Sequence, residues 1–385
     1  QSNKIMARIN TRSPYWFNIN EVGISYAILK LYVYTGNSSG APSTPTYEIR
    51  KSVLSGQETV YFEVAELVRD ELDIIFDGDY TGQAVWVKVE TFAYDVNDNE
   101  IADDGETIIA FDGYNYYEEQ TADESNAMIT NRELFVLEDN TFRVPIYTGL
   151  NSPSVVFYKD GEIIASETFS YDQDSSNQIK YVSIYGDTVN WDTFEERVLE
   201  DGAVDFENNV CLQSFFNNYS IGAVDKIEVS GGGKIETIKV NVIEECKYQP
   251  KKITFINKFG ALQDMYFFKK AVEKMNVSKE SYKANILNSN KTYNISSHTN
   301  RDFNIKAKES TTLSSGFLSE EYNEVFKQMM LSEKVWITNI IETGEQVLPI
   351  NVKTSNITYK TSLNDRLVEY TFDFENSYNV INNIR

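Results

Sequence analysis

The sequence predicts a mainly β protein, with tandem antiparallel β-sandwich-like modules followed by a C-terminal β-sheet domain with one packed α-helix. Aromatic residues make up 13% of the 385 residues, and aromatic and β-branched side chains favour strands. Short runs of these residues alternate with clusters of Gly, Asn, Ser and Pro, which is the spacing of an antiparallel sandwich. A chain of this length can bury more than one core, so we expect several domains.

The first predicted domain spans residues 1–130. Its early strands are the runs SPYWFNI, GISYAILKLYVYTG, TPTYEIRKSVL and TVYFEVAEL, which turn-forming residues separate. After the last of these runs, Leu67, Val68 and Leu72 have the spacing of one or two helical turns. A paired hairpin formed by QAVWVKVETFAYD and ETIIAFDGYNYY is expected to close the domain.

The second predicted domain spans residues 131–245 and is also sandwich-like. Asp160 and Gly161 lie between two runs of β-formers, a pattern that favours a tight hairpin turn. Residues 231–234 (GGGK) resemble a phosphate-binding loop only superficially, because Ile235 stands where that motif needs Ser or Thr. We interpret these glycines as the tip of a second hairpin.

The third predicted domain spans residues 246–385 and opens with KKITFINKFGALQDMYFFKK at residues 251–270. The runs KITFIN and ALQDMYFF predict two strands around a turn at Lys258, Phe259 and Gly260. The lysines at the outer ends are expected to keep the edges of this hairpin soluble. The runs VWITNII, VLPINVKTSNITYKT and RLVEYTFDFENSY predict further strands.

One helix is predicted at about residues 319–331. The apolar residues at helical spacing are Tyr322, Val325, Phe326, Met329 and Met330. Ser319 precedes them and is expected to cap the free N–H groups of the first turn.

Charge is unequal along the chain. Residues 1–245 carry 16 basic and 43 acidic residues, a net charge of -27, whereas residues 246–385 carry 19 and 15, a net charge of +4. Because nucleic-acid affinity depends on basic side chains that neutralise phosphates, we expect no tight nucleic-acid binding. The apolar runs are too short to cross a bilayer, so no membrane span is expected, and no secretory signal is visible at the N-terminus.

Few residues are suited to catalysis or cofactor binding. His298 is the only histidine, and Cys211 and Cys246 are the only cysteines, so neither a histidine metal site nor a disulfide framework is expected. Residues 36–40 (GNSSG) match a hydrolase nucleophile pattern, but prolines follow instead of the helix that the pattern requires. We therefore expect no catalytic residue, no cofactor and no enzymatic activity.

One acidic segment, residues 95–106, has the spacing of a calcium loop. Oxygen ligands would come from positions one, three, five, nine and twelve, which are Asp95, Asn97, Asn99, Asp103 and Glu106. The sixth position should be Gly and is Glu100. The segment is therefore either a calcium site or a solvated acidic hairpin loop.

Tyr114, Tyr116 and Tyr117 lie beside acidic residues in the run GYNYYEEQ. Such a composition suits a protein interface or a surface on which sugars stack. We list these tyrosines as interface candidates, together with four lysines of the basic hairpin, Lys251, Lys252, Lys269 and Lys270. The acidic modules would supply the complementary surface.

Four stretches carry a resemblance to a known class of proteins. They are INTRSPYWF, VIEECKYQPKKITFINKFGALQDMYFFKKAVEKMNVSKESYKANI, SGFLSEEYNEVFKQMMLSEKVWI and YTFDFENSYNVINNIR. Together they resemble virion proteins of tailed bacteriophages, especially phages of Bacteroidota and the crAss-like group. The resemblance covers mostly the third domain and a short N-terminal piece, and it transfers no site residue.

The resemblance implies a component of the phage particle, in the tail, collar or baseplate, assembled in the host cytoplasm. We therefore expect a noncatalytic structural subunit that binds copies of itself and other virion proteins. Two alternatives stay open. One is a receptor- or glycan-binding tail or surface protein, whose partner would be a host-surface glycan, and the other is a glycan-cleaving enzyme.

Overall fold

A computed structural model describes residues 8–54, 56–80, 84–119, 125–137, 141–149, 152–185, 209–210, 224–243, 247–341, 344–358 and 367–381. These residues form 24 strands and two helices, which confirms the mainly β fold. Cys211 and Cys246 lie outside the described residues.

The first region forms a sandwich. Its elements are β1 (Arg8–Asn10), β2 (Trp16–Asn20), β3 (Tyr26–Tyr34), β4 (Tyr47–Ser52), β5 (Thr59–Glu63), α1 (Ala65–Arg69), β6 (Ala84–Tyr94) and β7 (Glu100–Phe111). Five strands pair in the order β1-β7-β6-β3-β4, and β2 pairs with β5 in a second sheet. Leu29, Val87 and Phe62 share one core between the two sheets. Helix α1 confirms the predicted helical turn.

The second region also has two sheets. Its strands are β8 (Glu133–Leu137), β9 (Thr141–Tyr147), β10 (Ser154–Lys159), β11 (Glu162–Thr168), β12 (Ile179–Tyr185), β13 (Asn209–Val210), β14 (Lys226–Gly231) and β15 (Lys234–Ile243). The sheet orders are β11-β10-β14-β15-β8 and β13-β12-β9. Asp160 and Gly161 both have positive φ and join β10 to β11, as predicted. Gly232 and Gly233 form the predicted tip between β14 and β15.

Three strand pairs depart from the antiparallel pattern. β1 pairs with β7, β8 with β15 and β12 with β13 in parallel, whereas the other pairs are antiparallel. The two members of each parallel pair are far apart in sequence, so no hairpin turn imposes the antiparallel direction.

The third region is a seven-stranded sheet with a helix. Its elements are β16 (Lys251–Ile256), β17 (Leu262–Phe267), β18 (Val272–Lys283), β19 (Asn300–Ser314), β20 (Leu318–Ser319), α2 (Tyr322–Leu331), β21 (Val335–Ile341), β22 (Gly344–Val352), β23 (Leu367–Val368) and β24 (Thr371–Asn376). The strand order is β17-β16-β21-β22-β24-β19-β18, and β20 pairs with β23.

Helix α2 confirms the predicted helix, but it begins later than expected. Tyr322, Val325, Phe326 and Met329 are buried as the apolar spacing predicted. The predicted cap at Ser319 is wrong, because Ser319 pairs with β23 in a two-residue strand and Glu321 occupies the cap position. Glu321 makes no capping hydrogen bond with its side chain.

The hairpin of β16 and β17 has the predicted pairing but a different environment. All six residues of β17 are buried although it is an edge strand, because β8 and β9 of the second region cover it. The interpretation of the lysines as a soluble rim is wrong for Lys252, which is 7% exposed with its Nζ 3.3 Å from Glu345 Oε2. Sequence alone does not show which edge of a sheet another region covers.

The segment at residues 125–129 joins the first and second regions and is buried. One side chain of β15, Glu236, holds it in place. Glu236 Oε2 accepts hydrogen bonds from the backbone N–H groups of Asn126 and Ala127, each at 2.9 Å. Glu236 Oε1 lies 2.6 Å from the guanidinium of Arg132 and accepts a hydrogen bond from Ser125. This connection is therefore a packed element of the fold.

The predicted boundaries near residues 130 and 245 fall between the sheets, but the buried cores cross them. One core contains Val136 and Phe142 of the second region together with Phe255 and Phe372 of the third. Another core, called here the three-way junction, draws residues from all three regions. It includes Trp86, Phe111, Tyr181, Phe259 and Trp336.

Candidate interaction surfaces

The turn of the β16–β17 hairpin is inserted into the three-way junction. Phe259 is 2% exposed, and the backbone carbonyl of Lys258 accepts a hydrogen bond from the N–H of Tyr114 at 2.8 Å. Gly260 has φ +80°, and a Cβ atom added there would lie 2.7 Å from Phe111 Cβ. The turn therefore needs both a left-handed conformation and the absence of a side chain, and only glycine provides both.

A polar network surrounds this turn. Lys258 Nζ lies 2.8 Å from Glu119 Oε1, and its side chain is 9% exposed. Glu119 also accepts a hydrogen bond from the N–H of Tyr116 at 2.9 Å. Burial acts to raise the pKa of Glu119, but the hydrogen bonds from Lys258 and Tyr116 outweigh it and leave the pKa below its usual value. The network therefore stabilises the charged form of Glu119, which forms an ion pair with the buried ammonium group of Lys258.

Helix α2 completes the network. The hydroxyl of Tyr116 donates a hydrogen bond to Glu324, and Lys327 Nζ lies 3.5 Å from the centre of the Tyr116 ring. Gln328 is fully buried, and its side-chain oxygen accepts a hydrogen bond from the N–H of Lys258 at 3.2 Å. The predicted interface tyrosines therefore include two that make contacts within the chain.

Tyr114 and Tyr116 lie edge to face with 5.6 Å between ring centres. The guanidinium of Arg12 lies 4.9 Å from the centre of the Tyr114 ring. Burial raises the pKa of Tyr114 to about 12. Tyr117 is fully exposed, so the three tyrosines do not form a shared platform for stacking sugars.

The four candidate lysines of the hairpin differ in exposure. Lys252 is buried, Lys251 and Lys269 are partly buried, and Lys270 is exposed. Lys251 Nζ donates a hydrogen bond to Asn339 at 3.1 Å. Their role in an interface with another molecule stays a prediction, for which Lys270 is the most accessible of the four.

The candidate calcium residues do not form a twelve-residue loop. The turn between β6 and β7 contains only residues 95–99, and Asp95 Oδ1 accepts hydrogen bonds from the N–H groups of Asn97 and Asn99 at 2.7 and 2.9 Å. Asp103 and Glu106 lie farther along β7, opposite Phe92 and Val89. Glu106 is about 20 Å of extended strand beyond the turn. Among the described residues, no group of three or more His, Cys, Asp and Glu is placed to hold a metal ion.

A long hairpin, called here the arm (residues 272–314), is the most exposed part of the third region. It consists of β18, β19 and the loop that joins them, and all twelve residues of β18 are exposed. Of the 25 exposed large apolar side chains in the described residues, nine lie in the arm. They are Val272, Met275, Val277, Tyr282, Leu287, Tyr293, Ile295, Phe303 and Ile305. The arm was not predicted from sequence, because its apolar residues do not follow the regular alternation of a half-buried strand. The Asn/Ser-rich segment between its two strands is its one turn signal.

The two faces of the arm differ in chemistry. Alternate residues of a strand share a face, and Val277 pairs with Ala307, so Met275, Val277 and Ala307 form an apolar patch. The face that holds this patch is called here the apolar face, although it also carries Glu273 and Glu309. The opposite face, called here the basic face, carries four basic residues and one acidic residue, Glu280, together with the aromatic pair Tyr282 and Phe303. The basic residues are Lys274, Arg301, Lys306 and Lys308.

A β-bulge places the aromatic pair on the basic face. Ser278 pairs with Lys306, but Glu280 pairs with Phe303, so β19 has one extra residue at this point. Asn304 within the bulge has φ +49°. Without the extra residue, Phe303 would lie on the apolar face, because one residue of register reverses every side chain. Tyr282 and Phe303 instead meet edge to face with 5.6 Å between ring centres.

An acidic groove of about 240 Å³ lies in the first region. It is formed by the start of β2 and by neighbouring parts of β6 and β7, and its lining includes Trp16, Phe17, Thr91, Asp104 and Glu106. Trp16 is 55% exposed, and Asp104 and Glu106 are exposed and form no ion pair with any described residue. Burial, with a contribution from the Glu106 carboxylate, raises the pKa of nearby Tyr15.

The described residues contain no helix with the length and apolar character needed to span a bilayer. His298 is exposed in the loop of the arm. The chain matches no protein-family model, and no curated protein matches it.

Proposed function

We propose that this protein is a noncatalytic structural subunit of a tailed-phage virion that assembles through protein–protein contacts. The observation that carries the proposal is the arm, which presents nine large apolar side chains to solvent on a hairpin that extends from the sheet. Exposed apolar side chains concentrated on one element are typical of surfaces that bind another macromolecule. The resemblance of the sequence to virion proteins supplies the setting, a tail, collar or baseplate.

The packing of the body supports the same role. The three regions share buried cores and a buried connection, which suits a subunit that holds its neighbours at fixed positions. Interfaces between domains that are large and apolar oppose relative motion of the domains. The arm thus extends from a body whose parts are held together.

The acidic groove favours contact with protein side chains over binding of a small-molecule substrate. Small-molecule sites usually have volumes of about 300–1,000 Å³. The groove is smaller, is open and is bordered by two unpaired carboxylates. It can admit one or two side chains of a partner, and its charge favours a cationic one.

The test is the composition of the particle. We expect mass spectrometry of purified virions to find this chain at a fixed copy number that matches a ring or layer, and cryo-electron microscopy to locate it there. Recombinant chain should show no host-cell adsorption and no signal on a glycan array. Its absence from washed particles, or adsorption and glycan signals that follow the chain itself, would contradict the proposal and favour the receptor-binding alternative.

A further inference from the structure

We propose that the basic face of the arm docks into the acidic groove of a second copy of this chain. This inference rests on the proposed function and names the partner of the arm. Both surfaces are on the same polypeptide, and among the described strands only β24 pairs with the arm from outside it, whereas β2, β6 and β7 form the groove in the first region. The contact is therefore intermolecular.

Charge complementarity selects a second copy as the partner. The arm carries seven basic and four acidic residues, a net charge of +3, whereas residues 1–130 carry eight basic and 22 acidic residues, a net charge of -14. On the basic face, Lys274 and Lys306 are exposed and form no ion pair with any described residue. In the groove, Asp104 and Glu106 are likewise without ion pairs among the described residues. Unpaired charges of opposite sign thus stand on the two surfaces.

Aromatic residues are expected to lie at the centre of the contact and to contribute most of its binding energy. Phe303 and its neighbour Tyr282 follow Lys306 on the basic face, whereas Lys274 lies about 20 Å farther along the strand. Trp16 borders the groove beside its carboxylates. Tyr and Trp are enriched among the residues that contribute most to binding, and charged residues around them contribute orientation and rate. We infer that Tyr282 or Phe303 enters the groove against Trp16, with Lys306 over Asp104 and Glu106. Lys274 then lies over the acidic surface of the first region outside the groove.

The outer edge of β18 is a less suitable contact. Five of its twelve residues are charged, which is the device that sheets use to prevent pairing between exposed edges. The face of the arm is therefore the more favourable surface. Since the arm and the groove are different surfaces, each copy contributes one of each, and such heterologous contacts form closed rings or open stacks.

Charge reversal with rescue tests the contact. The arm variant is Lys274→Glu with Lys306→Glu, and the groove variant is Asp104→Lys with Glu106→Lys. Lys283→Glu with Lys291→Glu is the matched control, since it changes the net charge of the same arm equally, with Lys283 on the opposite face and Lys291 in the loop. Self-association is measured by analytical ultracentrifugation at low salt.

We expect the wild-type chain to associate, and the arm and groove variants each to associate roughly tenfold more weakly or worse, since like charges then face each other. An equimolar mixture of the two variants should regain association, because reversed arms then meet reversed grooves. The control variant should associate like the wild type. Equal weakening by the control, or failure of the mixture to recover, would refute the docking contact.

Photo-crosslinking locates the contact without requiring a loss of binding. With p-benzoylphenylalanine in place of Tyr282, crosslinked peptides should map to residues 15–18 or 104–106 of another copy. Crosslinks that map elsewhere would contradict this contact while leaving the structural role intact. Wild-type chain that stays monomeric at every concentration contradicts the contact as well, and the composition of virions tests the structural role independently.

Discussion

At the scale of single residues, Gly260 shows most sharply how the three regions are held together. We expect Gly260→Ala to lower the free energy of unfolding by about 3 kcal/mol or more, because a methyl group would add a clash with backbone and Phe111 to the strain of a positive φ. Chemical denaturation of the full chain measures the loss.

Gly233→Ala is the matched control for this prediction. Gly233 has the same φ of +80° at the tip of the β14–β15 hairpin, but nothing lies within 4 Å of the added Cβ. We expect it to cost only the conformational strain, about 1–2 kcal/mol. If the two variants lose equal stability, the close packing of the β16–β17 turn against Phe111 does not contribute.

Glu236 is the second residue on which the connection between regions depends. Glu236→Ala would leave two backbone N–H groups of the buried connection without their acceptor and would remove the carboxylate that pairs with Arg132. We expect a loss of about 2–4 kcal/mol in the free energy of unfolding, mainly because the two buried N–H groups are left without an acceptor. The ion pair itself contributes less, since the Arg132 side chain is 35% exposed.

Glu228→Ala on the neighbouring strand β14 serves as the comparison. Glu228 pairs with Lys226 at 3.0 Å in a partly exposed position, where such ion pairs contribute about 1 kcal/mol or less. Both variants are followed by thermal and chemical unfolding. A loss for Glu236→Ala no larger than for Glu228→Ala would show that this carboxylate is not needed to hold the connection.

At the scale of elements, the arm is expected to contribute little to stability, whereas the β16–β17 hairpin is buried in the core. Residues 279–305 can be replaced by an Asn-Gly turn that joins Ser278 to Lys306, because these two residues lie opposite each other. We expect this shortened chain to keep the melting temperature of the wild type within a few degrees, since the removed residues are almost all exposed. Differential scanning calorimetry measures it, and a large decrease would show that the arm packs on the body.

The elements that could be predicted from sequence are those with local signals. The apolar spacing of Tyr322, Val325 and Phe326 predicts α2, and Asp160 with Gly161 predicts a turn, because neighbours in sequence determine both. The β16–β17 hairpin was predicted for the same reason. Its burial could not be predicted, because the residues that cover it are more than a hundred positions away.

The interaction surfaces were harder to predict than the fold. The acidic residues that follow Tyr114 and Tyr116 in the sequence suggest that both tyrosines are exposed. In the structure, Arg12 covers the ring of Tyr114 and Lys327 covers the ring of Tyr116, and both come from distant parts of the chain. The arm was missed because its apolar residues occur on both faces of a hairpin that is exposed throughout, so the usual alternation between core and solvent carries no information. The groove combines three separate segments, and no short motif marks it.

At the scale of the whole molecule, the acidic composition makes stability depend on pH. A hydrogen bond from Arg69 lowers the pKa of Glu333, and one from Lys353 lowers the pKa of Glu375. The folded state then binds fewer protons than the unfolded state near the usual carboxyl pKa of about 4.3, so unfolding becomes easier as the pH falls below it. We expect the melting temperature to decrease steeply below about pH 4.3.

Variants that replace carboxyl groups by amides test how these groups change the melting temperature at acid pH. Glu333→Gln with Glu375→Gln should flatten the acid side of the curve of melting temperature against pH, because these two groups then no longer titrate. Burial raises the pKa of Asp112, so Asp112→Asn should make the acid side steeper, since it removes a proton that the folded state binds more tightly. An acid side that none of the variants changes would show that other groups control acid unfolding.

The three-way junction also has a consequence for folding while the protein is being synthesised. Trp86, Phe111 and Tyr181 leave the ribosome well before Phe259 and Trp336, which complete the same buried cluster. At about 5–20 residues per second, the earlier aromatic side chains wait on the order of ten seconds or longer for their last neighbours. During translation the nascent chain therefore exposes apolar surface that chaperones recognise, and ribosomes stalled before residue 250 should hold a protease-sensitive chain.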